Sequence, residues 1–431
     1  MVRRAGGRSQ SRFDHPVEEE LLRAEEAAAL LGVKRATLYT YVSRGLVRCV
    51  PEKGTKENRY LRADVERLKT RHDARAGHAA VASGALRWGE PVIDSSVSRI
   101  SEEGLSYRGH DAVELATRGH RFEDVAELLW TGRLPLESTA WTAPEAPPSA
   151  LTPAALAAML PRATPPLSAL AALVPLLAAS DAGRFAAPVE QDLLRARRII
   201  RHLGAWVCVA QAPGRVSRAL KEPTVAASLA TAWDAKPKRT AELINLALVL
   251  CADHELNTST FAARVTASSG ADLYACISAA LAAISGHRHG GACDRVEALI
   301  AEVGRPERAA QVIHGRLRRG EAVTGFGHRL YLKGDPRTPP LVAAALSVKP
   351  ESLKVRVARA VMDTMRDAGH PPPSLDWGLV MLADALGLPS GAATVLFSLG
   401  RTAGWVAHVL EQREQGHLLR PRARYVEAPA R

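Results

Sequence analysis

Cysteine is scarce and scattered. The five in 431 residues (Cys49, Cys208, Cys251, Cys276, Cys293) show no paired spacing. That excludes a disulfide framework and points to reduced thiols in a cytoplasm. Long apolar runs are missing too. The longest, Leu167–Ala179, is too short to span a bilayer and carries Pro175. The first residues are polar and basic, with no apolar stretch of the kind a secretory leader needs. No membrane partner is expected. Runs of alternating β-branched residues are nearly absent, so strands should contribute little. Acidic residues fall short of basic ones, giving a net charge of +12. Residues 1–80 hold 17 Lys and Arg against 11 Asp and Glu, so half of the excess lies in less than a fifth of the chain. That end is the part suited to a polyanion such as DNA.

Apolar residues, at 47% of the chain, are enough for a large core. Residues 1–17 read as a disordered basic tail and 73–87, small and polar, as a linker. Residues 137–176 are rich in Ala and Pro, fitting either a low-complexity insert or short helices broken by prolines. From Asp192 to Leu281 the apolar spacing is helical. INLALVLCADHEL is apolar on nearly every side up to Asp253, the mark of a core helix. The fold class expected is all-α.

Between the tail and the linker, residues 18–72 form a small helical module. Ala24–Val33 reads as one helix, Gly32 as a tight turn, and Arg35–Arg44 as a second helix ending at Gly45. LVRCV, the charged loop EKGTKENRY and a third helix from Arg62 to Arg71 follow. Helix, turn, helix and a basic hairpin-like wing is the layout of a DNA reader. The segment resembles the helix-turn-helix of MerR/excisionase-type regulators. Lys34, Arg35, Thr37 and Arg44 are candidates to face a groove. Lys53, Lys56 and Arg59 are candidates for phosphate contacts, which would make binding strongly salt-dependent.

Four polar clusters interrupt the helical pattern further on. They are His254 in ADHELNTSTFAARV, His289 in GHRHGGAC, His328 and Arg337 in GFGHRLYLKGDPR, and Asp376 in SLDWG. Arg401 in SLGRTAGW and Arg420 in RPRARY complete the set. His287, His289 and Cys293 lack a fourth ligand at tetrahedral spacing, and Thr258 stands where an HExxH motif needs its second histidine, so no metal is expected. Arginine forks suit a small di- or trianionic acid. A carbon acid beside a thioester needs a carboxylate base and neutral donors for the enolate oxygen.

These motifs, in this order, closely resemble citrate synthase from about Trp88 to Tyr425. The resemblance implies an all-α fold with a large domain (88–288 plus 393–431) and a small one (289–392), preceded by the winged module. It implies His289, His328 and Asp376 as catalytic residues and His254, Arg337, Arg401 and Arg420 as the oxaloacetate grip. Arg420 would cross from the other subunit of a homodimer. Arg329 and Lys333 lie where CoA phosphates pass. The implied reaction joins acetyl-CoA to oxaloacetate, with no cofactor beyond the CoA of the substrate. Three places depart from the family's pattern. His287-Arg288 replaces Pro-Leu, Cys293 replaces Asn, and Trp377-Gly378 replaces Phe-Tyr. These flank the thioester and the base, which keeps propionyl-CoA, giving 2-methylcitrate, as an alternative. A regulator whose synthase-like part senses metabolites is a second alternative.

Overall fold

Helices dominate wherever the apolar spacing is helical. The computed structural model describes residues 21–43, 46–51, 58–62, 64–66, 68–69, 93–138, 141, 151–185, 188–235 and 239–421. The tail, the linker, Arg44, Lys53 and Lys56 lie outside these. The chain divides into two units, residues 1–94 and 95–431.

In the first unit, α1 (Ala24–Leu31) is closed by Gly32 in the left-handed conformation, and α2 (Arg35–Ser43) starts three residues later. Three short strands, β1 (Leu21–Leu22), β2 (Cys49–Pro51) and β3 (Asn58–Leu61), make an antiparallel sheet in the order β1-β3-β2. Leu22, Ala27, Leu31, Leu38, Val47, Tyr60 and Val65 form its core. Residues 62, 64–66, 68 and 69 are helical, as the sequence suggested. Buried Asp64 ties them to the strand region by accepting from the Arg48 backbone N–H at 3.0 Å and its Nε at 2.8 Å.

The second unit opens with a sheet that the sequence reading missed: β4 (Ser98–Ser101), β5 (Gly104–Tyr107) and β6 (His110–Asp111). Helices follow: α3 (Ala112–Thr117), α4 (Phe122–Thr131), α5 (Pro153–Met159), α6 (Pro166–Ala179), α7 (Val189–Trp206) and α8 (Val225–Ala232). The Ala/Pro-rich stretch thus contains short helices, with Pro175 inside α6. Next come α9 (Thr240–Cys251), α10 (Thr258–Ser268), α11 (Leu273–Ile284), α12 (Ala292–Val303) and α13 (Ala309–Arg318). The last are α14 (Thr338–Val348), α15 (Leu353–Asp367), α16 (Leu375–Ala385) and α17 (Ala392–Gln415). The long α17 is buried along most of its length and packs on α4, α6, α7, α9, α10, α11, α12 and α16. Among the described residues no helix is long and apolar enough to cross a membrane.

Candidate active site

Helix α9 ends at Cys251 and the chain turns through Ala252–Asn257 before α10 begins. This turn carries His254. Asp253, wholly buried, accepts from Ser98 Oγ at 2.5 Å, from the Glu255 N–H at 3.2 Å and from His408 Nε2 at 3.3 Å. Glu255 adopts φ +51° and its carboxylate takes the Ile100 N–H at 2.8 Å. The hairpin β4–β5 and helix α17 therefore fix the turn from two sides. Behind it, buried Arg264 on α10 donates to Glu411 at 2.6 Å, Gln412 at 3.0 Å and Gln415 at 2.8 Å, and its Nη1 lies 3.2 Å from His408 Nδ1.

His254 Nε2 lies 3.0 Å from the Tyr331 hydroxyl, and its ring meets the His328 ring edge-on at 5.5 Å. His328 and Tyr331 rings are 4.8 Å apart. The Leu330 N–H donates to His328 Nδ1 at 3.1 Å, so a neutral His328 carries its proton on Nε2. Burial, then Arg337 and Arg401, hold His254 well below the usual histidine range. Burial also lowers His328, against the opposing pull of Asp335.

Arg337 is buried and bound by Asp335 in a two-pronged pair, Nε to Oδ1 at 2.9 Å and Nη2 to Oδ2 at 2.7 Å. Burial works against both charges, yet each holds the other ionised, with Asp335 lowered and Arg337 raised. The remaining nitrogen, Nη1, is buried with no hydrogen-bond partner among the described residues. An orphan guanidinium nitrogen of this kind is costly unless something else satisfies it. Arg401, also buried, gives Nε to the Cys251 carbonyl at 2.9 Å and stands 5.0 Å over the Phe397 ring. The His289 ring meets the same Phe397 at 5.9 Å.

His289 sits in the turn between α11 and α12. Gly290 lets this turn close on itself, because a Cβ there would fall 2.4 Å from the Ile284 carbonyl oxygen. The glycine thus serves the chain's own close approach at the end of α11. Helix α12 starts three residues after the imidazole. Burial and then Arg401 lower the His289 pKa to about 4. His289 Nε2 lies 2.8 Å from Ser259 Oγ, which donates to Asn257 Oδ1 at 2.8 Å and accepts from Trp405 Nε1 at 3.1 Å.

Asp376 is the second residue of α16, two positions past the cap residue Ser374. Ser374 Oγ donates to its Oδ2 at 2.7 Å, and the buried Cys293 thiol donates to its Oδ1 at 3.3 Å. Cys293 lies only four residues after His289, so the first turn of α12 links the two clusters.

The departures at 377 and 378 are taken up by packing contacts. Trp377 is fully buried, gives Nε1 to the Thr324 carbonyl at 3.1 Å and packs on Phe326 at 5.2 Å. At Gly378 a Cβ would come within 2.8 Å of Leu341 Cβ on α14, so this glycine sets the spacing of α14 and α16. Both positions are occupied by packing between helices and the loop before His328. His287 and Arg288 are exposed, as are Arg329 and Lys333. Arg420 is exposed beyond α17, after Leu419, whose N–H is held by Ser268 at 3.1 Å. It does not join the cluster of its own chain. In the first unit Lys34 and Arg35 are exposed, Arg35 facing Glu25 at 3.5 Å, while Thr37 and Arg59 are half-buried. Among the described residues no group of three His, Cys, Asp or Glu is placed to hold a metal.

The residues overlooked in the sequence are Tyr331, Ser259, Asn257, Trp405, Asp335 and Ser374. Two signals were present. Asn-Thr-Ser opening a helix is a capping pattern, and Asp-Pro-Arg sets a carboxylate two residues before the arginine it orients.

The buried histidines make a pH prediction. His202 is likewise lowered to about 4 by burial. Groups that fold neutral and take up protons only when unfolded favour the unfolded chain in acid. Their contribution is complete above the ordinary histidine value of 6.5 and is lost as pH falls toward 4. The denaturation midpoint is expected to drop steadily between pH 6.5 and 4.5, and His202→Leu to flatten that drop. A midpoint constant over this range would contradict the buried, neutral assignment.

Comparison with known proteins gives the class first. A profile described as "Citrate synthase, C-terminal domain" matches residues 85–422, and one described as "Helix-turn-helix domain" matches residues 21–73. The structure of citrate synthase from Thermoplasma acidophilum, a ternary complex with carboxymethyl coenzyme A and oxaloacetate, superposes with a TM-score of 0.68. That match has 26% identity and covers 79% of this chain and 95% of the other. Citrate synthase 2 of Bacillus subtilis is 32% identical over 354 residues, 78% of this chain and 94% of the relative. A 2-methylcitrate synthase 2 of Corynebacterium glutamicum is 30% identical over 362 residues, 77% and 91% of the two chains. The second unit has the citrate synthase fold. The chain belongs to the citrate synthase family, with a helix-turn-helix domain ahead of the family's domain.

Proposed function

We propose that the chain condenses acetyl-CoA with oxaloacetate to citrate and CoA, as a homodimer in the cytoplasm, with large and small domains closing on the substrates. The observation that carries this is the orphan Nη1 of Arg337 beside Arg401 and three histidines of which none favours its charged form. A buried guanidinium already neutralised by Asp335 on two nitrogens, yet missing a partner on the third, suits a small carboxylate. His254 and Arg401 would complete that grip, together with Arg420 of the partner subunit. Asp376 would take a proton from the acetyl methyl group. His289 would donate to the thioester oxygen as the enol forms. Nε2 faces Ser259, so the donor would be Nδ1. Ser259 turning its hydrogen from Asn257 to Nε2 selects that tautomer. His328, with its proton on Nε2, would polarise the oxaloacetate ketone while the enol carbon attacks it. Water then cleaves the citryl-CoA thioester, releasing CoA. Arg329 and Lys333 are exposed and available to CoA phosphates. No cofactor is required.

Relatives of both names lie at similar identity. The acyl group therefore belongs to the test. Thiol release is expected with oxaloacetate and acetyl-CoA, and a higher kcat/KM with propionyl-CoA would make the product 2-methylcitrate. A second reading rests on the exposed Lys34 and Arg35 at the start of α2: the amino-terminal unit docks on DNA through α2 and Arg59. No thiol release with either ester, together with salt-sensitive DNA binding, would make the chain a metabolite-sensing regulator instead.

A further inference from the structure

We propose that Cys293 is a positioning residue for Asp376, a weak donor that keeps this carboxylate a stronger base than the family's usual Asn would. The inference rests on Asp376 acting as the base. Its ground is geometric. The thiol is fully buried on the first turn of α12 and its Sγ lies 3.3 Å from Asp376 Oδ1, while Ser374 Oγ takes the other oxygen at 2.7 Å. The two carboxylate oxygens thus meet one strong donor and one weak one. A hydrogen bond to the charged form lowers a carboxyl pKa, and the lowering grows with donor strength. An amide or hydroxyl is a strong donor to a carboxylate, whereas S–H is a weak one. Replacing Asn by Cys therefore leaves Asp376 less stabilised as an anion and readier to take a carbon-bound proton. Burial and the neighbouring Asp376 also push the Cys293 thiol far up, so it stays S–H and remains a donor.

Other groups facing Asp376 would be untouched by a change at 293. They are His328, on the segment before α14, and Cys251, at the end of α9, with Asp335, Arg337 and Arg401 around the same Cys251 thiol. None of them contacts Cys293 by hydrogen bond. Exposure plays no part, because a thiol closed off from solvent is held for what it donates rather than for its reactivity.

The test is the pH profile of kcat for the full-length protein and for Cys293→Ser, Cys293→Asn and Cys293→Ala. The acid limb is expected to move down by roughly 0.5–1 unit in the Ser and Asn variants, with a several-fold lower plateau, and up in the Ala variant. KM for oxaloacetate should stay constant, because Cys293 lies off the carboxylate grip. Acid limbs that coincide across folded variants overturn the proposal. A second measurement needs no variant. The infrared S–H band of the unsubstituted protein should shift with the same midpoint as the acid limb, and S–H bands that ignore this midpoint overturn it as well. Asp376→Asn separates the two levels of the argument. Full turnover in that variant would remove the base itself, whereas an inert Asp376→Asn beside a flat Cys293 series removes only the part given to the thiol.

Discussion

Asp376→Asn is expected to lower kcat by about 10²–10⁴-fold, the range over which a positioned base acts. Asn keeps the shape of the side chain and an acceptor for Ser374 or Cys293, so the fold should survive. What it loses is the capacity to take a proton. KM for oxaloacetate should change little, because the proposed carboxylate grip lies on Arg337, Arg401 and His254. Exchange of the acetyl-CoA methyl protons with solvent deuterium, measured with oxaloacetate or an unreactive analogue bound, isolates the step. Exchange in Asp376→Asn at the unsubstituted rate would remove Asp376 from the chemistry.

The largest effect on stability is expected at a residue outside the reaction. Arg264 has no exposed surface and binds Glu411, Gln412 and Gln415, with His408 beside it. Taking one member from a buried ionic group leaves the other charge uncompensated, at about 3–5 kcal/mol. Arg264→Met should show that loss in the denaturant midpoint. Adding Glu411→Gln should recover part of it, since the stranded charge is then gone. A loss below about 1 kcal/mol would place the group among ion pairs that water already screens. Because His408 leads on to Asp253, and Asp253 precedes His254, the same variant should also raise KM for oxaloacetate.

Most of the helical framework was legible in the sequence, since apolar spacing in α7, α9, α10 and α11 reports directly which face is covered. The hairpin β4–β5 was not. Its strands read SRIS and GLSY, and their inward side shows mainly in Leu105 and Tyr107, too few for an alternation signal. Within the candidate site, the histidines and arginines stood out because charged groups interrupt apolar runs. Their partners did not. Ser259 is one more helix-opening hydroxyl until Trp405, 146 positions away, is folded onto it. Cys293 looked like a change beside His289 and lies against Asp376. Trp377 and Gly378 looked like changes beside the base and serve packing. Sequence adjacency to Asp376 does not mean shared surroundings, because successive helical residues point about 100° apart.

Asp253 is held by Ser98 from near the start of the second unit and by His408 from near its end, each 155 positions distant. During synthesis on a ribosome, α17 emerges after the eight helices it packs on, and until it does the turn bearing His254 has only one of its two anchors. A message truncated before Ala392 would thus yield a chain in which the second unit lacks the helix on which eight others pack. Such a product would carry the helix-turn-helix without a finished substrate pocket.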